Sequence, residues 1–191
     1  MSASDPKRLI VGISGASGIV YGVRILEVLR ELGIETHLVL TRSAQVALAH
    51  ELPLKVTDVS ALAAVVHRPD DIGASISSGS FRTMGMVIAP CSIRTLSEIA
   101  SGVTSSLITR AGDVVLKERR RLVLLVRETP LHLGHLRSMA AVTEMGAIVM
   151  PPVPAFYPKP QTVGAIVDHT VGRALDLFGI DSGLVKRWGE D

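Results

Sequence analysis

The chain has little cysteine and few aromatic residues. Cys91 is the one cysteine among 191 residues, which excludes an intrachain disulfide and any metal site built on cysteines. Phe, Tyr and Trp make up 3%, too few for the stacking platforms that hold single-stranded nucleic acid. Charge of one sign is lacking too. Lys and Arg number 20 against 18 Asp and Glu, a net +2, and the basic residues are scattered except at Lys117 to Arg121. No nucleic-acid partner is expected. No apolar run reaches the length of a membrane span, and the first seven residues, Met-Ser-Ala-Ser-Asp-Pro-Lys, lack the apolar core of a signal peptide. A soluble, cytoplasmic protein is expected. What the chain has in quantity is apolar residues, 47%. That content suits strands buried on both faces, and a subunit that hides surface in a homo-oligomer. The length predicts a single domain over 1–191 with a substantial core.

Five short apolar runs read as strands: Leu9–Ile13, Thr36–Leu40, Met86–Ala89, Leu122–Val126 and Ala147–Met150. They are continuous rather than alternating, as strands covered on both faces are. Helical patterns separate most of them. In Ile19–Leu32 the residues Gly22, Ile25, Leu26, Leu29 and Leu32 share a face opposite Arg24, Glu27 and Glu31, and Gly33 follows as a C-cap glycine. Further helices are predicted at Ala44–Glu51, around Ser60–Val66, along Thr104–Arg121 and at Thr162–Phe178. The segment from Pro151 to Pro160 carries five prolines and is predicted to be an ordered loop packed on ligand or neighbouring subunit. Strands alternating with helices give an α/β fold: a doubly wound, Rossmann/flavodoxin-like parallel sheet with helices on both faces. Ligands in such sheets sit beyond the carboxyl ends of the strands.

The strand-end loops are therefore the candidate sites. Gly12, Gly15 and Gly18 read GxxGxxG, not the GxGxxG of dinucleotide loops. A strand, a small-residue loop and a helix in that order either make a tight turn or present N–H groups and a helix dipole to phosphate. The second strand ends in Thr41-Arg42, with no acid to hold a ribose diol, so a mononucleotide fits better than NAD. After the third strand, Ser92 and Thr95 can cap the next helix or bind an anion. Cys91 reads as a buried structural thiol. Arg127 and Glu128 follow the fourth strand, an arginine suited to phosphate or carbonyl oxygens and a carboxylate suited to acid–base work or to an ordinary helix start. Arg110, Asp113 and Lys117 line one helical face that, taken alone, is solvated surface. His132 and His135 have no third ligand nearby, and no metal site is predicted.

The strand-end sequences are specific in combination. Gly12 to Gly18, Pro90-Cys91-Ser92, Ala111 to Arg119, Val126-Arg127-Glu128-Thr129-Pro130, Pro154-Ala155-Phe156-Tyr157 and Arg187-Trp188 recur together in one family. The chain closely resembles the UbiX-type flavin prenyltransferases over nearly its whole length. The resemblance implies transfer of a dimethylallyl group from dimethylallyl monophosphate to reduced FMN, at N5 and C6, without metal. The product, prenylated FMN, is the cofactor of a UbiD-type decarboxylase. By motif, FMN falls to Gly15, Ala16, Ser17, Thr41, Ser92, Ile93, Arg94, Thr95 and Arg127. Tyr157 and Arg173 would hold the dimethylallyl phosphate, with Lys117 and Arg110 adding charge, while Ser17, Glu51, Glu128 and Lys117 would handle protons and the leaving phosphate. The family assembles as a dodecamer of trimers, so the Arg110–Lys117 stripe would act at a subunit boundary. Three positions depart from the usual pattern: Thr41 where Ser is more common, Gly112 where Ala is frequent, and Ile72 where some members are aromatic. Two other readings compete: an FMN-dependent decarboxylase of a cysteine-derived peptide or pantothenate intermediate, which would need a catalytic histidine after the first strands, and a non-catalytic FMN carrier.

Overall fold

Leu9, Ile10, Val11 and Ile13 are all buried, so the first strand, β1 (Arg8–Ile13), has no face for water. The same holds for β2 (Glu35–Leu40), β4 (Gly85–Cys91) and β5 (Arg121–Val126) past their first residues. The protein is described by a computed structural model over residues 7–189. One parallel sheet runs in the order β3-β2-β1-β4-β5-β6, with β3 (Val65–His67) and β6 (Ile148–Val149) as short edges. Alternate strand residues feed two cores. Leu9, Val11, Ile13, Leu38, Val87 and Val123 meet α1 (Ile19–Glu31), α2 (Arg42–Glu51) and α7 (Val163–Asp176) on one face. Ile10, Val39, Met86, Ile88 and Leu124 meet α4 (Ile93–Ala100), α5 (Leu107–Lys117) and α6 (Leu133–Glu144) on the other. The doubly wound prediction is borne out.

Two local expectations need correction. The helix placed around Ser60–Val66 lies earlier, as α3 (Val56–Ser60), and Val65–His67 is instead a sixth strand. Three residues at a sheet edge carry too little pattern to be read, and tertiary partners decide them. Thr36 Oγ1 accepts the Ala64 N–H at 3.2 Å, and His37 Nδ1 lies 2.9 Å from His67 Nε2. The helix expected along Thr104–Arg121 is also shorter, because Arg121 already opens β5. Gly33 does end α1. It has φ +66°, and its N–H and that of Ile34 bond back to Arg30 and Leu29 carbonyls. Gly22 lets α1 lie close on β4, since a Cβ there would collide with the Ala89 carbonyl oxygen and stand 2.7 Å from Ile13 Cδ1.

The β2–β3 edge carries a proton-sensitive chain. Burial keeps His67 below the ordinary histidine range, and the hydrogen bond from His37, joined by Arg8, keeps the Glu35 carboxyl below its usual range. Both groups bind protons less readily when folded than when unfolded, so stability is lost as pH falls, from about 6.5 downward for His67 and below about 4.3 for Glu35. Hydrogen exchange at the Ala64 and Val65 amides should therefore accelerate between pH 7 and 5 ahead of the central strands. His67→Gln should flatten that dependence.

Candidate functional site

The chain leaves β1 toward β2 on one side and reaches β4 on the other, so the carboxyl ends of β1 and β4 flank the topological switch point, where such sheets open a crevice. Ser14 joins the two loops there. Its hydroxyl donates to the Pro90 carbonyl at 2.9 Å and accepts the Ser92 N–H at 2.8 Å, while its own N–H reaches the same carbonyl at 3.2 Å. Ser14 is buried, so Ser14→Ala strands the Ser92 N–H and should cost about 2 kcal/mol of unfolding free energy in urea. Ser14→Thr, which keeps the hydroxyl, should cost clearly less.

A cleft of about 580 Å³ opens beside this junction. Thr41, Ser43, Ser92, Thr95, Ser105 and Ser106 line it with hydroxyls, and Arg42 and Arg94 add charge at its walls. Three helices start on it. Thr41 caps α2 by accepting the Ala44 N–H at 3.2 Å, Ser92 caps α4 through Thr95 N–H at 3.3 Å, and Ser106 begins α5 with Thr109 in a capping box. The positive ends of three helix dipoles thus point to one hydroxyl-lined space, an arrangement suited to a phosphate. The acidic residues at the cleft are engaged. Glu98 takes Arg94 and Ser105, and Arg68 holds the Asp70 carboxyl below its usual range.

The loop after β1, which reads either as a tight turn or as a phosphate cradle, has a partner at its helix start. The α1 N-terminus is already occupied: Glu51 Oε2 accepts the Gly18 and Ile19 N–H groups at 2.9 and 3.0 Å. Glu51, expected among the proton-handling residues, stands as a cap on the loop that carries Gly15, Ala16 and Ser17. Gly15 packs directly on Ser43, with which a Cβ would collide, while Ser17 is exposed. This loop offers a close, electrically quiet backbone surface beside the charged cleft.

Of the site residues read from the sequence, Gly15, Ala16, Ser17, Thr41, Ser92, Ile93, Arg94 and Thr95 gather at the carboxyl ends of β1, β2 and β4. Arg127 and Glu128 join them at the end of β5, both exposed; the Arg127 N–H bonds the Cys91 carbonyl at 3.1 Å, and Glu128 Oε1 accepts Thr129 N–H at 3.1 Å. Lys117, Tyr157 and Arg173 lie elsewhere in the subunit, while Arg110 follows the cleft-lining Ser106 by one turn of α5. Arg110 pairs with Asp113 on the outer side of α5 at 2.7 Å, and Lys117 pairs with Glu118 at its last turn, just before β5 begins. Tyr157 bonds His169 and the Lys186 carbonyl, each at 3.0 Å, and stands edge-on to Trp188. Arg173 pairs with Asp176 near the end of α7. α5 and α7 pack on opposite faces of the sheet, and one chain does not bring Lys117, Tyr157 and Arg173 to the flavin loops, whereas Arg110 stands next to the cleft, its N–H bonded to the Ser106 carbonyl at 2.9 Å. Burial pushes the Cys91 thiol well above its ordinary range, consistent with a structural role. Among the described residues no group of three or more His, Cys, Asp or Glu is placed to hold a metal. Gly112 seats Ile99, whose Cδ1 would be 3.2 Å from a Cβ. Ile72 is exposed.

Ser14, Arg42, Ser43, Ser105 and Ser106 were not picked out by sequence reasoning. The repeated spacing of Ser92 with Thr95 and Ser106 with Thr109 was the available sign of two helix starts. Large apolar side chains also remain exposed at Leu133, Val153, Phe156, Val163 and Trp188. The proline-rich loop, expected to pack on something, leaves Phe156 73% exposed in the single chain.

The Flavoprotein family model matches residues 2–175. The flavin prenyltransferase UbiX of Escherichia coli is 60% identical over 185 residues, spanning 95% of this chain and 98% of its own. A crystal structure of AnUbiX in complex with FMN and dimethylallyl pyrophosphate superposes with a TM-score of 0.95 at 47% identity, covering 97% of this chain and 99% of that one. A dodecameric FMN-dependent UbiX-like decarboxylase from Escherichia coli superposes at 0.93 with 49% identity, covering 95% and 98%.

Proposed function

This chain belongs to the UbiX-type flavin prenyltransferases, and from that membership we propose that it moves the dimethylallyl group of dimethylallyl monophosphate onto reduced FMN. The observation that carries the reading is the hydroxyl-lined cleft on which three helices start, at the switch point of a flavodoxin-like sheet. Its donor set fits the FMN phosphate: Thr41, Ser92 and Thr95 with the α2 and α4 N–H groups, and Arg94 at the wall. Gly15 and Ala16 would carry the ring system on bare backbone, and Arg127 would reach its carbonyl edge. Bound reduced FMN supplies the nucleophilic N5 and C6. The chain's own residues manage the leaving group. As the allylic C–O bond breaks, the electron pair departs with the phosphate. Lys117, Arg110, Arg173 and the Tyr157 hydroxyl donate to its oxygens, and Glu128 or Ser17 passes a proton to it. Glu51 fixes the Gly18 corner from which Ser17 projects.

Lys117 and Arg173 belong to other parts of the subunit than the flavin loops, so the working site draws on neighbouring copies. The uncovered apolar side chains, and the dodecamer known for the similar Escherichia coli protein, support a homo-oligomer of that size. We place this single-domain protein in the cytoplasm, in keeping with the lack of any helix, among the described residues, long and apolar enough to cross a membrane. Its product would pass to a UbiD-type decarboxylase. The cysteine-decarboxylase and carrier readings have no full-length relative of comparable identity among the proteins named above. The test is anaerobic incubation with reduced FMN and dimethylallyl monophosphate, or the pyrophosphate in parallel. Mass spectrometry should find FMN plus one prenyl unit. Flavin that is bound but never alkylated would overturn the assignment.

A further inference from the structure

The serine-rich stretch before β4 has no part in the reading so far. Its end, Ser78-Gly79-Ser80, lies against the last turn of α5. Arg120 clamps it from below, donating to the Gly79 carbonyl at 2.7 Å and the Phe81 carbonyl at 2.6 Å. The two serine hydroxyls are 2.9 Å apart on its outer side. Gly79 itself has almost no free space. A Cβ on it would collide with Glu118 Oε1 and stand 2.6 Å from the Lys117 ammonium.

The atoms in the way are the free ends of two flexible side chains, not backbone. A methyl group at residue 79 could be accommodated by swinging those ends aside, at small cost to the fold. The cost would fall on where the ammonium stands. Lys117 is held at Gly79 by its ion pair with Glu118, and Glu118 is held in turn by Arg120, which lies 4.0 Å from its other oxygen. Gly79, Glu118 and Arg120 thus form three walls around one cation.

We infer that Gly79 is a positioning residue for the prenyl donor, its missing side chain setting the place from which Lys117 meets the donor's phosphate. The inference rests on the proposed prenyl-transfer reading. A cation moved by the width of a methyl group loses its alignment on a phosphate oxygen while the flavin cleft, at the other end of the sheet, is undisturbed.

The experiment is a two-by-two set of full-length proteins loaded with oxidised FMN, which holds the donor without turnover. The four are wild type, Gly79→Ala, Glu118→Ala and the double variant. Calorimetry reads the affinity for dimethylallyl monophosphate, and fluorescence quenching reads the affinity for FMN. Gly79→Ala should weaken the donor at least tenfold with FMN affinity unchanged. In the Glu118→Ala background, where the ion pair that holds Lys117 against residue 79 is gone and its ammonium is free to swing clear, the same change should cost less than threefold. Equal losses in both backgrounds, or a parallel loss of FMN, would overturn the inference. A crystal structure of Gly79→Ala provides a second reading, in which an unmoved Lys117 ammonium would also overturn it. Failure of the underlying reading looks different, because wild type given reduced FMN and donor would then make no prenylated flavin at all.

Discussion

Lys117→Met is expected to lower prenyl transfer by at least about a hundredfold while FMN still binds, because a departing phosphate would lose one of its full positive charges. The loss should be curable by a second defective subunit. Lys117 ends α5 at the amino edge of the sheet, whereas the flavin loops follow the carboxyl edge, about 20 Å away along a six-residue strand. A lysine cannot bridge that distance, so its phosphate belongs to a neighbour's site. Glu128 lies just past the end of β5, beside the flavin loops of its own chain, and would serve that site. Oligomers reassembled from Lys117→Met and Glu128→Gln subunits should contain some sites with both residues intact, and should show activity that neither parent has. If the mixed oligomers stay silent while each parent binds FMN, Lys117 acts within its own subunit or not at all.

The second large effect concerns the fold. Gly22→Ala in α1 should destabilise by about 3 kcal/mol, because the new methyl group drives the helix off the Ala89 carbonyl and the Ile13 side chain. At this chain length that lowers the thermal midpoint by about 6–12 °C. In a solvent-facing helix the same exchange gains up to about 1 kcal/mol. Gly164 in α7 is the matched control. Nothing nearer than Thr162 Oγ1 at 3.7 Å meets a Cβ there, so Gly164→Ala should be neutral or stabilising. Similar midpoints for the two variants would mean that α1 has room to move away from β4.

What the sequence made legible follows from the range of each signal. The α1 helix, its glycine stop and the strand-to-helix loops are written in residues a few positions apart, and they stand where the pattern put them. The edge strand Val65–His67 is too short to have a period, and its partners on β2 lie 30 residues away. The Ser14 junction links residues 76 and 78 apart, and Glu51 reaches Gly18 across 33. No local pattern announces such pairs. Lys117, Arg110 and Arg173 show the opposite difficulty. Each is paired with an acid on its own helix or next to it, as ordinary surface charge is. Only their company with the other motifs of the family singled them out, and one folded chain leaves Lys117 and Arg173 away from the flavin loops.

The carboxylate of Glu51 on the start of α1 has a consequence for how a ligand enters. It cancels the positive end of the one helix that begins at the glycine loop, while the three helix starts around the cleft keep theirs. The crevice therefore has a polarity, neutral at one end and electropositive at the other. A long molecule with an anionic tail and an uncharged ring meets a field that tells head from tail before any contact is made. It docks in one direction, and the face it offers to the second substrate is settled on arrival.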